Sequence, residues 1–510
     1  MFKFKNKKTV KEQEILDLDL QDGENGTTSP QKRDGKKRNR ELLLVAYLFV
    51  GMFTLLMAYF VYFNTTQADD VINNPYNSRQ DTFADRYIRG KILANDGEVL
   101  AETALSGDGT ETRRYPYKDL FAHVVGYSTV GKTGIESLGN FSLLSSHAFF
   151  LEQLENEFKG EKNIGDNVVT TLDVELQKIA YDAMGKYDGA VVALEPSTGK
   201  VLAMVSKPTY DPNKIQEQWE KLTAEGNEST ALLNRATQGL YPPGSTFKII
   251  TTLKYVRENG NYEQYSYDCH GEFTADDVTI NCYKHKSHGV QNLMESFAHS
   301  CNSSYANIGM DLNMKSFNSL CDSLLFNKEL PISLPYSKSK FAPPAQDDTA
   351  QKLMTAIGQG EGTLVSPMHM ALITSAIANN GVLMKPYFID RIENYTGDKV
   401  KQYKPAEYGT LLSEGEAALL KSYMIDVVEE GTATKLSGQN YTAAGKTGSA
   451  EYSSNKAKSH AWFVGFSNVD SPDLVVAVIL EGAGAGSDYA VPVAKKLFAA
   501  YAQAGNGGVS

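Results

Sequence analysis

The chain has 510 residues, of which 42% are hydrophobic and 22% charged, with four cysteines and a formal net charge of -11. This composition excludes a wholly disordered chain, a collagen-like fibre and a disulfide-dense mini-protein, and the length allows two or three domains. The acidic balance argues against a general nucleic-acid binder, which would present a basic face to phosphate groups, so no nucleic-acid partner is expected.

The N-terminus departs from this acidic balance and leads into an apolar run. Residues 1–41 contain 11 Lys and Arg against 8 Asp and Glu, a balance of +3 that leaves -14 for the rest of the chain. We expect this basic tail to be largely disordered. The following 22 residues, 42–63, carry no charge. At about 1.5 Å per residue they would span the roughly 30 Å hydrocarbon core of a bilayer as a transmembrane signal-anchor helix.

The charges on either side of the apolar run predict its orientation. A basic cluster at 32–40 precedes the run, and Asp69 and Asp70 follow it. Because excess Lys and Arg stay on the cytoplasmic side, we predict a single-pass protein of the cell membrane, with a cytoplasmic tail and an extracytoplasmic remainder. A secretory signal peptide fits poorly, since the run is longer than the usual 7–15 residues or so and no small-x-small cleavage site follows. A buried core helix rarely stays free of charge over this length.

The next hundred residues predict a stalk and a small accessory domain, together 64–164. Residues 64–86 are polar and rich in Asn, which is typical of a stalk. Residues 89–100 predict two short strands around an Asn-Asp-Gly turn at 95–97. Residues 103–165 have a mixed pattern with few long periodic runs, which favours an accessory rather than a catalytic domain.

A stronger pattern begins at 165 and predicts an α+β domain over 165–510. Apolar, β-branched runs predict strands at 168–172, 189–195, 200–206, 440–452, 460–468 and 473–482. Periodic runs predict helices at 174–184, 245–258, 291–313, 350–379, 413–430 and 490–502. Strands first, helices in the middle and strands with a helix last indicate an antiparallel sheet with an inserted helical cluster.

The candidate chemistry starts where a loop becomes a helix, at 241–248. Ser245 and Lys248 are three residues apart and share one helix face. A serine hydroxyl is a weak nucleophile that needs an adjacent base. A lysine can be that base only if burial or a second cation brings its pKa well below about 10.4. The start of the helix also offers free N–H groups to a developing oxyanion.

The spacing of Ser245 and Lys248 is weak evidence alone. The same Ser-x-x-Lys pattern occurs at Ser29/Lys32, Ser197/Lys200, Ser337/Lys340 and Ser453/Lys456. Only 245–248 combines a Pro-Pro-Gly lead-in with an apolar helix and with two downstream motifs.

The first downstream motif, Ser300-Cys301-Asn302, lies 55 residues after Ser245, at a helix junction where Ser300 and Asn302 could both face a cleft. The second, 446–449, lies 146 residues further on a predicted strand. There Lys446 would supply a positive charge for a carboxylate, and the small Gly448 would let a substrate backbone approach. Lys-Thr-Gly recurs at 132–134, so the ordered set of three motifs carries the argument. That set is the signature of active-site-serine penicillin-recognising enzymes.

With these motifs in place, residues 165–503 resemble the transpeptidase domain of penicillin-binding proteins. The resemblance extends to the stretches 171–177, 189–212, 234–236, 357–360, 431–433 and 460–465. Upstream, residues 89–97 and 134–136 resemble the accessory domain of class B members, most closely the penicillin-binding protein A branch. The resemblance implies a penicillin-binding, serine β-lactamase-like transpeptidase fold.

The resemblance also implies a D,D-transpeptidase that cross-links peptidoglycan stem peptides ending in D-Ala-D-Ala. Ser245 would form the acyl-enzyme, and β-lactams would acylate it as substrate mimics. Lys248 would take the serine proton, and no metal or organic cofactor would be needed. A membrane-embedded glycan polymerase of the shape, elongation, division and sporulation type is the partner expected from the family.

The resemblance implies further roles around the acylated serine. Ser300 and Asn302 would relay protons and hold the substrate amide. The terminal carboxylate would bind Lys446, which would also depress the pKa of Lys248, and Thr447 beside it. The N–H groups of Ser245 and Ser449 would form the oxyanion hole, with Gly448 leaving room for the substrate.

Three other functions remain as alternatives. A class D β-lactamase or β-lactam sensor often reads Ser-Thr-Phe-Lys, as 245–248 does, but usually carries Ser-x-Val where this chain has 300–302, and it needs no accessory region. A D,D-carboxypeptidase would use water in place of the acceptor amine. A membrane-anchored scaffold for wall assembly would need none of the three motifs.

The remaining polar clusters have less definite interpretations. A zinc site could be drawn from Cys269, His270, Cys282, His285 and His288, although the spacing departs from common zinc modules. A local Cys269–Cys282 disulfide or two free thiols are the alternatives. Cys301 is predicted to be a small buried hydrophobe. His460 and Trp462 either touch substrate or simply pack beside the third motif.

Overall fold

The computed structural model describes residues 31–66, 86–451 and 459–507, and it divides into two compact units, 1–69 and 70–510. Most of the predicted tail and nearly all of the predicted stalk lie outside the described residues, as do Ser29 and the Ser453/Lys456 pair.

The first unit contributes one long helix, α1, at Gln31–Thr66. It begins inside the predicted tail, where the Lys and Arg residues are good helix formers, so residues 31–41 are helical. The disorder expected for residues 1–30 lies outside the described residues. The α1 segment Arg40–Phe63 has a mean hydropathy of 2.2 and none of it is buried in the protein. Among the described residues this is the one helix long and apolar enough to cross a membrane.

The second unit holds the other helices and all the strands of the described chain. Its helices are α2 Ala122–Val125, α3 Gly134–Leu138, α4 Asn140–Leu143, α5 Phe150–Lys159, α6 Val174–Ala183, α7 Ile215–Thr223, α8 Lys248–Glu258, α9 Leu293–Ala298, α10 Asn302–Asp311, α11 Met314–Ser323, α12 Thr349–Ala356, α13 Pro367–Ala378, α14 Glu414–Glu429 and α15 Gly486–Gly507. A short 3₁₀ helix, Gly244–Phe247, runs directly into α8.

The strands form two main sheets and several short pairs. They are β1 Tyr87–Ile88, β2 Ile92–Leu93, β3 Val99–Leu105, β4 Glu111–Arg114, β5 Asn163–Ile164, β6 Asn167–Thr170, β7 Gly189–Leu194, β8 Val201–Lys207, β9 Tyr267–Cys269, β10 Glu272–Ala275, β11 Val278–Asn281, β12 Gly289–Gln291, β13 Val382–Met384, β14 Ile389–Glu393, β15 Lys399–Gln402, β16 Glu407–Thr410, β17 Ala443–Glu451, β18 Ser459–Ser467 and β19 Val475–Leu480.

The central sheet has five antiparallel strands in the order β17-β18-β19-β7-β8. Strands β7 and β8 come first in the chain and form a hairpin. Strands β17, β18 and β19 come only after helices α7 to α14. This order agrees with the predicted antiparallel sheet carrying an inserted helical cluster. Every residue of β7 and β19 is buried, so both faces of the sheet are covered. Helices α6 and α15 pack against each other and the sheet, and α13 packs against β19, β7 and β18.

Two of the predicted helical runs are broken where the backbone takes a positive φ. The helical run predicted at 291–313 is two helices, α9 and α10, that meet at Ser300 with φ 53°, which confirms the helix junction expected at 300–302. The predicted helix 350–379 is α12 and α13, separated by a loop in which Gly358 has φ 81°. An added Cβ on Gly358 would lie 2.0 Å from the carbonyl oxygen of Gly244, so this loop can approach the 3₁₀ helix only with glycine there.

The second sheet contains strands from both the upstream region before residue 165 and the domain after it. Its order is β15-β14-β6-β2-β3-β4. The predicted hairpin around the turn at 95–97 is present as β2 and β3. Strand β6 pairs in parallel with β2 and antiparallel with β14, so the upstream hairpin and a strand after α13 share one sheet.

A buried ion-pair cluster holds the upstream region together. The Glu136 carboxylate, fully buried, accepts hydrogen bonds from Arg89 at 2.7 Å, from Arg113 at 2.7 Å and from the Tyr115 hydroxyl at 3.1 Å. Burial alone would raise the pKa of Glu136, but the two guanidinium groups outweigh it and leave the pKa below its ordinary value. The carboxylate is therefore the counter-charge that allows both arginines to be buried.

Replacing this carboxylate should unfold the upstream region more easily. In Glu136→Gln two guanidinium groups would stay buried without a counter-charge, so we expect the free energy of unfolding to fall by about 3–5 kcal/mol. Urea unfolding of the full chain in detergent measures this. Glu155→Gln, which breaks the exposed Glu155–Lys159 pair, is the matched control and should change stability little. Equal effects of the two substitutions would contradict the expectation.

Candidate functional site

Ser245 lies in the 3₁₀ helix at the start of α8, beside the edge strand β17. The Thr246 hydroxyl donates to the Pro243 carbonyl at 2.7 Å and closes the turn that presents the serine. Gly244 has φ 54°, and an added Cβ would lie 2.8 Å from the Ser449 carbonyl oxygen. The Pro-Pro-Gly lead-in therefore produces a turn tight enough to bring the serine against the third motif.

Lys248, one turn further on, is completely buried and points at the second motif. Its Nζ donates to the Ser300 carbonyl at 2.8 Å, to Oδ1 of Asn302 at 2.8 Å and, at 3.4 Å, to the Ser300 hydroxyl. The ammonium lies 5.0 Å from the centre of the Tyr305 ring. These contacts give a buried cation the hydrogen bonds it needs.

The loop between α9 and α10 makes these contacts possible. Its Ser300 adopts a left-handed backbone conformation, with φ 53°. The N–H groups of Ser300 and Cys301 bond back to α9, at 3.1 Å from the Phe297 oxygen and 2.9 Å from the Ser296 oxygen. That conformation is expensive for a serine, by about 1–3 kcal/mol, and it turns the Ser300 carbonyl toward the lysine.

Lys446 brings a second lysine into the same interior. It lies on β17, is completely buried, and its Nζ is 3.2 Å from the Thr447 carbonyl oxygen and 5.4 Å from the centre of the Phe297 ring. The pKa of Lys446 lies well below its ordinary value, mainly because of burial and to a lesser extent because of the charge of Lys248. For Lys248 itself, burial lowers the pKa to about 8.

The rest of the third motif is tightly packed. The Thr447 and Thr432 hydroxyl oxygens are 2.6 Å apart. A Cβ on Gly448 would come within 3.1 Å of Pro243 and Trp462 atoms. The main-chain oxygen of Ser449 accepts from the Gln359 amide at 3.2 Å.

The structure brings all the predicted site residues to one place, and it leaves other copies of their patterns elsewhere. The residues assembled are Ser245, Lys248, Ser300, Asn302, Lys446, Thr447, Gly448 and Ser449. Ser197/Lys200 lies at the turn of the β7–β8 hairpin, and 132–134 lies at the start of α3 in the upstream region.

Four further residues of the site were not predicted from the sequence. Thr432 and Gln359 sit within stretches used only for the resemblance, and Tyr305 and Phe297 supply the aromatic rings under the two lysines. A polar residue in a Gly-rich segment could have drawn attention to the first pair. Aromatic residues on helices give no such signal, because they look like core.

The two residues beside the third motif differ in role. Trp462 is fully buried, and its indole N–H donates to the Pro242 carbonyl at 3.0 Å, so it supports the loop before Ser245. His460 is partly exposed and accepts from the Gly482 N–H at 3.2 Å. Of the two interpretations left open for Trp462, packing is the one its contacts support.

Comparison with known proteins agrees with this site. The penicillin binding protein transpeptidase domain matches residues 189–499, and the penicillin binding protein A dimerisation domain matches residues 89–168. The peptidoglycan D,D-transpeptidase PbpA of Mycolicibacterium smegmatis is 30% identical over 92% of this chain and 100% of that protein.

Solved structures give the same result. The D,D-transpeptidase domain of an Eggerthella lenta peptidoglycan glycosyltransferase is 29% identical, with a TM-score of 0.72 over 83% of this chain and 100% of that one. The ceftriaxone acyl-enzyme complex of penicillin-binding protein A from M. tuberculosis is 28% identical, with a TM-score of 0.72 over 82% of this chain and 98% of that one.

The chain belongs to the penicillin-binding protein transpeptidase family. The predicted family, its α+β transpeptidase fold and its class of enzyme, a serine-type peptidoglycan D,D-transpeptidase, are thereby confirmed. The division of the chain at 164/165 and the individual residue roles stay predictions.

Proposed function

We propose that this protein cross-links peptidoglycan stem peptides through an acyl-enzyme on Ser245, formed at the D-Ala-D-Ala end of the donor. The observation that carries the proposal is the buried Lys248 ammonium, held at 2.8 Å by both the Ser300 carbonyl and Asn302, one helical turn from Ser245. Only a lysine whose pKa is lowered can serve as a base near neutral pH, and burial supplies that here.

In the first half-reaction the Ser245 oxygen attacks the penultimate D-Ala carbonyl, and its proton passes to neutral Lys248. Collapse of the tetrahedral intermediate breaks the peptide bond, and the released D-alanine nitrogen takes a proton back through Lys248 and Ser300. The N–H groups of Ser245 and Ser449 hold the oxyanion. The contact between Gly244 and the Ser449 carbonyl supports this role, because it puts the two main-chain segments side by side.

In the second half-reaction the amine of a neighbouring stem peptide attacks the acyl carbon. Lys248 takes the amine proton and returns it to the Ser245 oxygen as the ester bond breaks. Asn302 orients the substrate amide, and the small Gly448 lets the substrate chain lie along the edge strand β17. Water in place of the amine would give carboxypeptidase activity as a side reaction.

Lys446 and Thr447 are proposed to hold the terminal carboxylate of the donor. The pKa of Lys446 is well below its ordinary value, owing to burial and to Lys248. A bound carboxylate would supply the missing negative charge and restore the protonated form. Substrate binding would in this way complete the electrostatics of the site.

The apolar segment of α1 supports a membrane location for this enzyme. We propose that it crosses the cell membrane once, with residues 1–41 in the cytoplasm and the transpeptidase outside, as the flanking charges favour. A charged, membrane-impermeant penicillin should then label the protein on intact cells.

The acyl-enzyme is tested by following a fluorescent penicillin adduct on the full chain in detergent, by intact mass over hours. Wild type should form a stable adduct, and Ser245→Ala should form none, because the nucleophile is gone. Ser337→Ala is the matched control, since Ser337 has the same spacing to a lysine, and it should label like wild type.

The labelling experiment separates the alternatives. An adduct that forms and clears within seconds would point to a β-lactamase instead. A folded protein that takes no label would remove the enzymatic proposal and favour a scaffold. Labelling retained in Ser245→Ala would contradict the assignment of the nucleophile.

The state of Lys248 predicts how acylation depends on pH. The base works only when neutral, and with a pKa of about 8 its neutral fraction is about one half at pH 8 and about 1% at pH 6. The acylation rate should therefore be about 50-fold lower at pH 6 than at pH 8 and gain only about twofold by pH 10. Stopped-flow labelling measures it, with penicillin alone at each pH as control. A rate that is flat or falling between pH 6 and 8 would refute this.

We also propose a membrane-embedded glycan polymerase of the shape, elongation, division and sporulation type as partner. The basis is the family and the apolar α1 segment, none of which is buried in the protein. The tagged full chain should co-purify from its own membranes with such a polymerase, identified by mass spectrometry. The control is a chain in which an unrelated apolar span replaces residues 42–63. It should retain less of the polymerase. Recovery of no polymerase with either chain would contradict the partnership.

A further inference from the structure

Directly behind the second motif, three cysteines and one histidine converge on a point. They are Cys269, Cys282, Cys301 and His288, and their ligand atoms all lie within 4.8 Å of one another. The three thiols are buried, and the imidazole is partly buried. The transpeptidase chemistry above uses none of these four side chains.

The local fold explains how residues from separate segments meet there. Cys269 ends β9 and Cys282 follows β11, so the two flank the base of the β10–β11 hairpin. His288 precedes β12, which pairs with β9, and its N–H donates to the Cys269 carbonyl at 3.2 Å. Cys301 is the N-cap residue of α10. Of the other histidines considered for a metal, His270 and His285 are exposed and lie outside the cluster.

The distances match a tetrahedral metal site better than a disulfide. Bonds of about 2.3 Å to sulfur and 2.0–2.1 Å to nitrogen place tetrahedral ligands about 3.8 Å apart for two sulfurs and about 3.6 Å apart for sulfur and nitrogen. The Cys269–Cys282 and Cys282–Cys301 sulfur pairs are 3.8 and 3.7 Å apart, and Cys269 Sγ is 3.4 Å from Nδ1 of His288. A disulfide would need about 2.0 Å, and all four cysteines of the chain are free.

The surroundings favour the thiolate form that binds metal. Two main-chain N–H groups point at sulfur: Ser303 N lies 3.5 Å from Cys282 Sγ, and Ser304 N lies 3.4 Å from Cys301 Sγ. The Ser303 hydroxyl is within 3.0–3.3 Å of all three sulfur atoms. Such outer donors stabilise thiolate ligands.

We propose that Cys269, Cys282, His288 and Cys301 form a structural zinc site. Three thiolates and one imidazole are a donor set typical of tetrahedral zinc. Zinc binding would release the thiol protons to solvent, and it would protect neighbouring thiols from pairing in an oxidising extracytoplasmic environment. The zinc interpretation that the sequence left open therefore gains Cys301 as a ligand and loses His270 and His285.

The zinc site would affect the transpeptidase centre by holding the 300–302 loop in place. Cys301 lies between Ser300 and Asn302, whose oxygens hold Lys248 at 2.8 Å. A metal bond to Cys301 would fix this loop against β9 and the β10–β11 hairpin, and so help keep Ser300 in its left-handed conformation. The zinc would touch no substrate.

The test is the metal content of the full chain, purified in detergent without chelators from zinc-supplemented cells. Elemental analysis should find about one zinc per chain in wild type. The Cys282→Ser variant should lose most or all of its zinc. Cys321→Ser is the matched control, because Cys321 is equally buried on α11 and lies outside the cluster, and it should keep its zinc.

Cobalt gives a second readout that does not require a variant to fold. After zinc is removed from the wild-type chain with a chelator, added Co²⁺ should produce sulfur-to-cobalt charge-transfer absorption and the visible bands of tetrahedral cobalt, and Zn²⁺ should abolish both. Absence of zinc and of these bands, iron or copper in place of zinc, or a mass showing a disulfide among the three cysteines would each overturn the proposal.

The effect of zinc on the 300–302 loop rests on the proposed function, and the rate of penicillin acylation tests it separately. Chelation should slow penicillin acylation of wild type several-fold, zinc should restore it, and Cys321→Ser should behave like wild type. If zinc is bound but its removal leaves acylation unchanged, the positional role is overturned. If wild type with zinc takes no label, the transpeptidase proposal fails while the zinc site stands.

Discussion

Two lysine side chains, Lys248 and Lys446, are completely buried in one small region, and much of the architecture exists to make this possible. An isolated ammonium in a protein interior is strongly disfavoured unless hydrogen bonds replace water. Here the replacement comes from a carbonyl and an amide on a loop whose Ser300 has an unfavourable backbone conformation. The same burial that is costly for stability lowers the pKa of Lys248 to about 8, and a lysine with an ordinary pKa would be useless as a base near neutrality.

The close packing around the site follows from the same requirement. The 3₁₀ helix, the 357–360 loop and β17 lie against one another so closely that no side chain could fit at Gly244 or Gly358, and this packing keeps solvent away from the lysines. Trp462 supports this arrangement from the neighbouring strand by binding the Pro242 carbonyl. The central sheet, buried on both faces, provides the rigid frame on which such an arrangement can be held.

The sequence predicted much of this organisation, with two main exceptions. The strands of the central sheet, the order of elements and the eight site residues follow from hydrophobic periodicity and from three spaced motifs, which are local signals. The helix junction at 300–302 was expected, and only the positive φ of Ser300 depends on tertiary contacts. The break between α12 and α13 was missed although Gly358, Gly360, Gly362 and Pro367 interrupt the apolar pattern there. The cysteine cluster was incomplete because Cys301 was expected to be part of the core, and only the β10–β11 hairpin and α10 bring it to Cys269 and Cys282.

The shared second sheet has a consequence for biogenesis. Strands β2 and β6 lie within the first half of the chain, whereas their sheet is completed by β14, more than two hundred residues later. A polypeptide emerges from synthesis N-terminus first, so the upstream hairpin and β6 must wait with an unpaired edge until the chain has been made as far as Glu393, about two thirds of the way through the transpeptidase sequence. An unpaired edge is a template for wrong pairing. The upstream region therefore completes its folding as a late step, together with the domain that follows it.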